Sequence, residues 1–184
     1  TVVSQNFICL DRREGVVNPL GAAKHVICEH YREVEGNSMN HVLESLWLPK
    51  VTSVGSYCFE DCSNLRHISL PVVEYIGNGA FRNCRSLRLV SLAARRIGFS
   101  AFSGCWQLQN ASLPLARDVT LGIFEQCGSL KSVSMPVAMR VHNYAFAWCT
   151  SLTAVSLPAV TEVGPSAFYA CANLETVALP SLES

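Results

Sequence analysis

The sequence predicts a β/α solenoid, in which short parallel strands and turns stack rung on rung. Three observations lead there. A seven-residue phrase is written seven times: LESLWLP from Leu43, LRHISLP from Leu65, LRLVSLA from Leu87, LQNASLP from Leu108, LKSVSMP from Leu130, LTAVSLP from Leu152 and LETVALP from Leu174. The copies start 22 residues apart at every step except one of 21. A Phe and a Cys three residues later recur in phase, from Phe59 and Cys62 to Phe168 and Cys171. Self-similarity at such a period marks units that bury their apolar faces only against one another. Residues 43–184 are therefore read as the array, six full rungs of 21–22 residues plus a partial seventh.

Residues 1–42 do not fit the period. They read as an N-terminal cap or a degenerate repeat, because the first apolar face of a solenoid has to be covered. The runs from Asn6 to Leu10 and from Lys24 to Cys28 each suit a strand, and a polar stretch follows from Glu29 to Asn40. A separate functional head is the alternative.

Each rung then reads in the same order. In the second, Leu65, Ile68 and Leu70 alternate with Arg66, His67 and Ser69, the pattern of a strand with one buried face. Pro71 ends the strand, since proline cannot donate to a ladder. The spacing of Ile76, Ala80, Phe81 and Cys84 suits a short helical or 3₁₀ turn on the side opposite the strand. Gly55, Gly77, Gly98 and Gly164 suggest a left-handed backbone at one place per rung, although Thr120 and His142 occupy it in two rungs. The third rung is the short one: Ala93 replaces the proline and one residue is missing before Ile97, so a local irregularity is expected there.

Composition narrows the function classes. The chain has 184 residues and a formal net charge of zero, which gives no general attraction to nucleic acid or anionic lipid. With 49% hydrophobic and 15% charged residues, it has the means to fold. No apolar run approaches the roughly 18 residues of a membrane-spanning helix. No signal peptide is visible in a chain that begins at Thr1, and the array is expected to continue beyond Ser184.

Nine cysteines raise the question of disulfides. Cys62, Cys84, Cys105, Cys127, Cys149 and Cys171 form one column, one per rung. Side chains in a column point the same way, whereas a disulfide needs converging Cβ atoms. Buried thiols packing as small hydrophobes are the favoured reading; disulfides and metal ligation are the alternatives. Cys28-Glu29-His30 and the Cys58/Cys62 pair lack the second pair that a zinc site needs. No P-loop, dinucleotide fingerprint or nucleophile elbow is present, and the five histidines have no paired carboxylate at useful spacing. Catalysis, metal and cofactor are not expected. The sequon Asn110-Ala111-Ser112 falls inside a strand and is read as chance.

The pattern CxxLxxVxLPxVxxIGxxAFxxC, carried by residues 43 to 184, resembles the BspA-type leucine-rich repeat, also described from a treponemal surface protein. The rungs here are shorter than the family's usual repeat, which bears on the connecting segment. The resemblance implies a right-handed, leucine-rich-repeat-like coil with a parallel β-sheet on its concave side. It implies protein binding or adhesion, commonly at cell surfaces, and no catalytic residues. An intracellular location is the alternative if the cysteines are all reduced and no signal peptide exists.

What breaks the rhythm is what remains to act on other molecules. Trp47 replaces the small residue, usually Ser, of its outward column. That serine column reads as an uncrowded sheet surface, or as a flat polar floor for a partner backbone. Arg66 and Arg88 are column neighbours, with Arg82, Arg85, Arg95 and Arg96 in the same two rungs, suggesting a local basic patch. The bland reading is a solvated charged face; the functional one is a site for an acidic peptide or phosphate. The candidate partner surface on the concave face is Trp47, Arg66, His67, Arg88, Leu89, Gln109, Asn110 and Lys131. Trp148 and Tyr169, with Trp106 further back, are secondary candidates, since exposed Trp and Tyr are typical anchors. The expected function is a non-catalytic protein-protein interaction module with a partner of acidic character, and no nucleic acid. A structural scaffold subunit of a large assembly and a surface adhesin are the alternatives. Oligomeric state is not read from the sequence.

Overall fold

The protein is described by a computed structural model covering residues 3–4, 7–9, 24–27, 32–34 and 41–182. Each repeat makes one turn of a parallel β-solenoid of about seven turns. A rung opens with a three-residue strand: Ser45–Trp47, His67–Ser69, Leu89–Ser91, Asn110–Ser112, Ser132–Ser134, Ala154–Ser156 and, last, Thr176–Ala178. A two-residue strand follows in Ser53–Val54, Tyr75–Ile76, Arg96–Ile97, Asp118–Val119, Arg140–Val141 and Glu162–Val163. Partners lie one repeat apart, parallel and in register, as Ser45 with His67, Asn110 with Ser132 and Arg140 with Glu162. Alternation along the strand buries Leu46, Val90 and Val155 and turns their neighbours outward.

The same ladder extends before Leu43. Phe7–Cys9 pairs parallel with His25–Ile27, which pairs parallel with Ser45–Trp47, and Val3–Ser4 lies antiparallel on Phe7–Cys9. Glu33–Val34 starts the second ladder on Ser53–Val54. Both strands read from the N-terminal sequence are thus present in part. Most of the polar stretch from Glu29 to Asn40, and the triplet Cys28-Glu29-His30, lie outside the described residues.

From Leu43 on, the corner after the long strand is a hydrogen-bonded β-turn in every rung but the third. The Val73 amide donates to the Leu70 carbonyl at 3.4 Å, and Ala116 to Leu113, Ala138 to Met135 and Val160 to Leu157 at 3.2 Å. Pro71, Pro114, Pro136 and Pro158 stand at the second position, whose φ the ring presets. In the third rung Arg96–Ile97 begins one residue sooner after its strand. There Arg95, three residues after Leu92, already makes the inter-rung bond to Glu74 that Glu74 itself makes to Thr52, so no turn bond closes on Leu92. The shortening is absorbed in this one corner.

The side opposite the long strands corrects an expectation. Among the described residues it contains no helical or 3₁₀ segment. The amides of Ala80, Arg82 and Cys84 close turns back onto Gly77, Gly79 and Phe81 of their own rung. The intervening amides of Gly79, Phe81 and Asn83 donate to Phe99, Ala101 and Ser103 of the next rung at 2.9, 2.9 and 2.8 Å. Half the peptide groups are thus spent between rungs, where a helix would need them within one. Two left-handed residues per rung accomplish the alternation: Gly79 and Asn83, Ser100 and Gly104, Gly122 and Gln126, Tyr144 and Trp148. The apolar spacing that suits a helical turn is met equally by this run of β-turns.

The glycine column is also corrected. Gly77, Gly98 and Gly164 are not among the residues with positive φ. Their requirement is space: a Cβ at Gly77 would stand 2.4 Å from the Ser56 nitrogen, and one at Gly98 2.4 Å from that of Asn78. The backbones of successive rungs touch here. Thr120 carries a side chain in this column and turns its hydroxyl onto the Gly98 carbonyl at 3.0 Å.

The interior is two stacks. Phe59, Phe81, Phe102, Phe124, Phe146 and Phe168 follow one another with ring centroids 5.3 to 6.0 Å apart and planes within 20°. Beside them run the thiols. Cys84, Cys105, Cys127 and Cys149 each donate to the carbonyl of a repeat Phe in the preceding rung, at 3.2 Å, and Cys171 does so at 3.0 Å. The thiols of this column are hydrogen-bonded and unbridged. Burial pushes those of Cys84, Cys127 and Cys149 well up, and that of Cys105 to about 12.

Candidate functional site

The strand face displays the candidates in columns set by the register. Trp47 ends its strand opposite Ser69 and is 42% exposed, while Leu89, opposite Asn110, is 56% exposed. Arg66, His67, Arg88, Gln109, Asn110 and Lys131 are all exposed. The Ser132 hydroxyl donates to the Asn110 side-chain carbonyl at 2.7 Å, so the Asn110 amide is held along the column.

The register also brings in a residue that the repeat does not reveal. Because His25 pairs with Ser45, Lys24 falls in the column of Glu44 and Arg66. Lys24 Nζ lies 3.2 Å from Glu44 Oε1. This hydrogen bond, with Lys24's charge and then Arg66's, holds the Glu44 carboxyl below its usual range. Lys24 and Arg66 thus stand on one ladder on either side of Glu44, which pairs with Lys24, and Arg88 and Lys131 on the next on either side of Gln109; by repeat position the four form a basic line. No ladder pairing joins His67–Ser69 to Leu89–Ser91, the strands beside Arg66 and Arg88. Three of the other four arginines of the expected patch are engaged elsewhere, and Arg95 is exposed. Arg82 faces Glu60 at 3.6 Å, Arg85 lies over the Trp106 ring at 5.1 Å and Arg96 over the Tyr75 ring at 5.4 Å.

The turn side carries the secondary candidates. Trp148, 48% exposed, meets Tyr169 edge to face at a centroid distance of 5.6 Å. Trp148 occupies a left-handed position, with φ of 62°. Trp106 stands on the same side, two rungs before Trp148. Gly128, in the rung between them, has no side chain, and a cleft of about 560 Å³ opens there. It is lined by Trp106, Gln126, Gly128, Ser129, Trp148 and Thr150. Trp106 was legible as an outward aromatic; the cleft was not, because it comes from a missing side chain two rungs wide. No group of three or more His, Cys, Asp or Glu that could hold a metal occurs among the described residues.

With this geometry in view, the similarities follow. A family model described as BspA type leucine rich repeat region matches in six copies, over residues 37–139 and 117–184. No curated protein matches the chain. A solved leucine rich cell surface protein from Faecalibacterium prausnitzii A2-165 is 29% identical, over 79% of this chain and 42% of that one, with a TM-score of 0.69. The T. pallidum leucine rich repeat protein is 26% identical over 85% of this chain and 80% of that one, with a TM-score of 0.77. A leucine-rich repeat protein from Bacteroides ovatus ATCC 8483 shares the fold at a TM-score of 0.66 and 22% identity, over 97% and 56% of the two chains. This chain therefore spans less than half the length of the Faecalibacterium structure.

Proposed function

The chain belongs to the BspA-type leucine-rich repeat family, and on that premise we propose a non-catalytic interaction module that holds a protein partner of acidic character on its strand face. The observation that carries the reading is the basic line of Lys24, Arg66, Arg88 and Lys131, set beside the exposed Trp47 and Leu89. An aromatic anchor next to charge that steers the encounter is the usual economy of an interface. His67, Gln109 and Asn110 supply hydrogen-bonding groups between the charges. Parallel crossovers are right-handed in about 98% of cases, so we take the coil as right-handed, and we take this face as concave on the family resemblance. Residues 1–42 are read as its N-terminal cap or a degenerate repeat: Phe7–Cys9 and His25–Ile27 continue the parallel ladder, and the antiparallel Val3–Ser4 supports a capping role.

The test is selection of displayed random peptides on the immobilised chain. The selected ligands are expected to be rich in Asp and Glu, and to be lost with Arg66→Glu combined with Arg88→Glu, or with Trp47→Ala, at unchanged circular dichroism. Ligands that hold both variants as tightly as the parent would remove the strand face as the site. A second reading, display at a cell surface, is supported by the similarity to the Faecalibacterium cell surface protein. Antibody labelling of intact source cells tests it, and labelling only after lysis would count against it.

A further inference from the structure

The cleft on the turn side has a chemistry different from that of the strand face. None of its six lining residues is ionisable. Two indoles supply flat apolar faces, the Gln126 amide and the Ser129 hydroxyl supply neutral donors and acceptors, and the Thr150 hydroxyl, which donates to the Gly128 carbonyl at 3.2 Å, supplies an acceptor. Each indole has a packed neighbour, Trp106 the Arg85 guanidinium and Trp148 the Tyr169 ring, which lowers the ordering cost of a ligand. The rung imposes a left-handed backbone at Trp148, which Gly104 satisfies without strain and a bulky residue does not. A ligand matching these walls is uncharged, flat and apolar on one side, and rich in hydroxyls at its rim.

We propose that the Trp106–Trp148 cleft binds a neutral glycan, with a pyranose ring seated against the indoles over Gly128 and its hydroxyls bonded to Gln126, Ser129 and Thr150. The cleft is open along the stack, so the ligand is one stretch of a longer oligosaccharide rather than an enclosed monosaccharide. A proline-rich peptide also packs on aromatic faces, but it brings no hydroxyls to the polar floor.

The columns themselves provide clean variants. Ala170 occupies the backbone position of Trp148 in the next rung, with φ of 55°, so Trp148→Ala keeps a conformation the fold already accepts. A Cβ at Gly128 meets only Thr150 Oγ1, at 3.6 Å, and the backbone there is not left-handed, so Gly128→Leu fills the cleft without disturbing the rung. Cello-, manno- and chito-oligosaccharides, titrated against tryptophan fluorescence and by calorimetry, are the probes. At least one series is expected to bind. Trp148→Ala, Trp106→Thr and Gly128→Leu should each weaken it about tenfold or more, and Arg66→Glu with Arg88→Glu should leave it unchanged. No binding by any series, binding that survives Gly128→Leu, equal binding of sialylated oligosaccharides, or binding of decaproline in place of sugars would each overturn the proposal.

Discussion

Phe102→Ala is the sharpest test of the stacked interior. The ring is fully buried between Phe81, at 5.6 Å and 2° between planes, and Phe124, at 6.0 Å and 16°. Removing a buried Phe costs about 3–5 kcal/mol, because lost burial is added to a cavity that neighbours fill only partly. Here they cannot close in, since backbone hydrogen bonds hold the rungs apart: Phe102 donates to Ile123 at 3.1 Å and Phe81 to Ala101 at 2.9 Å. The loss is a large part of the roughly 5–15 kcal/mol that stabilises a folded domain. For a chain of this length it corresponds to a fall in Tm of about 6–20 °C. Phe168→Ala is the internal control. Phe168 is only half-buried and stacks on Phe146, so its truncation should cost markedly less. Phe102→Leu keeps most of the volume and should cost under about 1.5 kcal/mol. Urea unfolding followed by circular dichroism measures all three. Equal losses for Phe102→Ala and Phe168→Ala, or a loss under about 1 kcal/mol for Phe102→Ala, would refute the idea that the column is a shared core.

Further outcomes follow from the glycines and the thiols. Gly77→Ala drives a Cβ to 2.4 Å from the Ser56 nitrogen and should cost about 1–3 kcal/mol or more, whereas Gly128→Ala, whose Cβ makes an ordinary 3.6 Å contact with Thr150 Oγ1, should stay within about 0.5 kcal/mol; thermal melts of the pair test this, and indistinguishable values would remove the close-approach account. The folded pKa of Cys105 is raised from 9.0 to about 12 by burial, so the unfolded chain releases its proton first as pH rises. The stability this thiol contributes is complete below pH 9 and is lost progressively between pH 9 and 12. Unfolding at stepped alkaline pH should show a smaller decline for Cys105→Ala than for the parent, and an equal decline would contradict it. Thiol reagents should reach Cys84, Cys105 and Cys127 only as fast as the chain unfolds; rapid modification of the native protein would place these groups outside the core.

Most of the fold was legible because stacking forces repetition. A side chain that faces the interior has to suit the same neighbours in every rung, so Leu65, Phe81 and Cys84 return at a fixed period and declare their burial. The turn side was misread for a physical reason. Ile76, Ala80, Phe81 and Cys84 report which side chains point inward, but the direction of the amides between them is not written in side-chain polarity. The same holds for Gly77: a glycine marks either a left-handed φ or a close approach, and the letter does not say which.

The sequence by itself determined the repeat length of the array from Leu43 and the members of both interior stacks, since each depends only on periodicity; that the thiols of the column are unbridged was decided by the structure. Tertiary structure alone decided which outward residues meet. It brought Lys24 into line with Arg66, drew Arg85 and Arg96 onto aromatic rings, and opened a cleft between Trp106 and Trp148 where Gly128 lacks a side chain. Exposed positions are free of the packing that enforces repetition, so their chemistry emerges only once neighbouring rungs are set side by side.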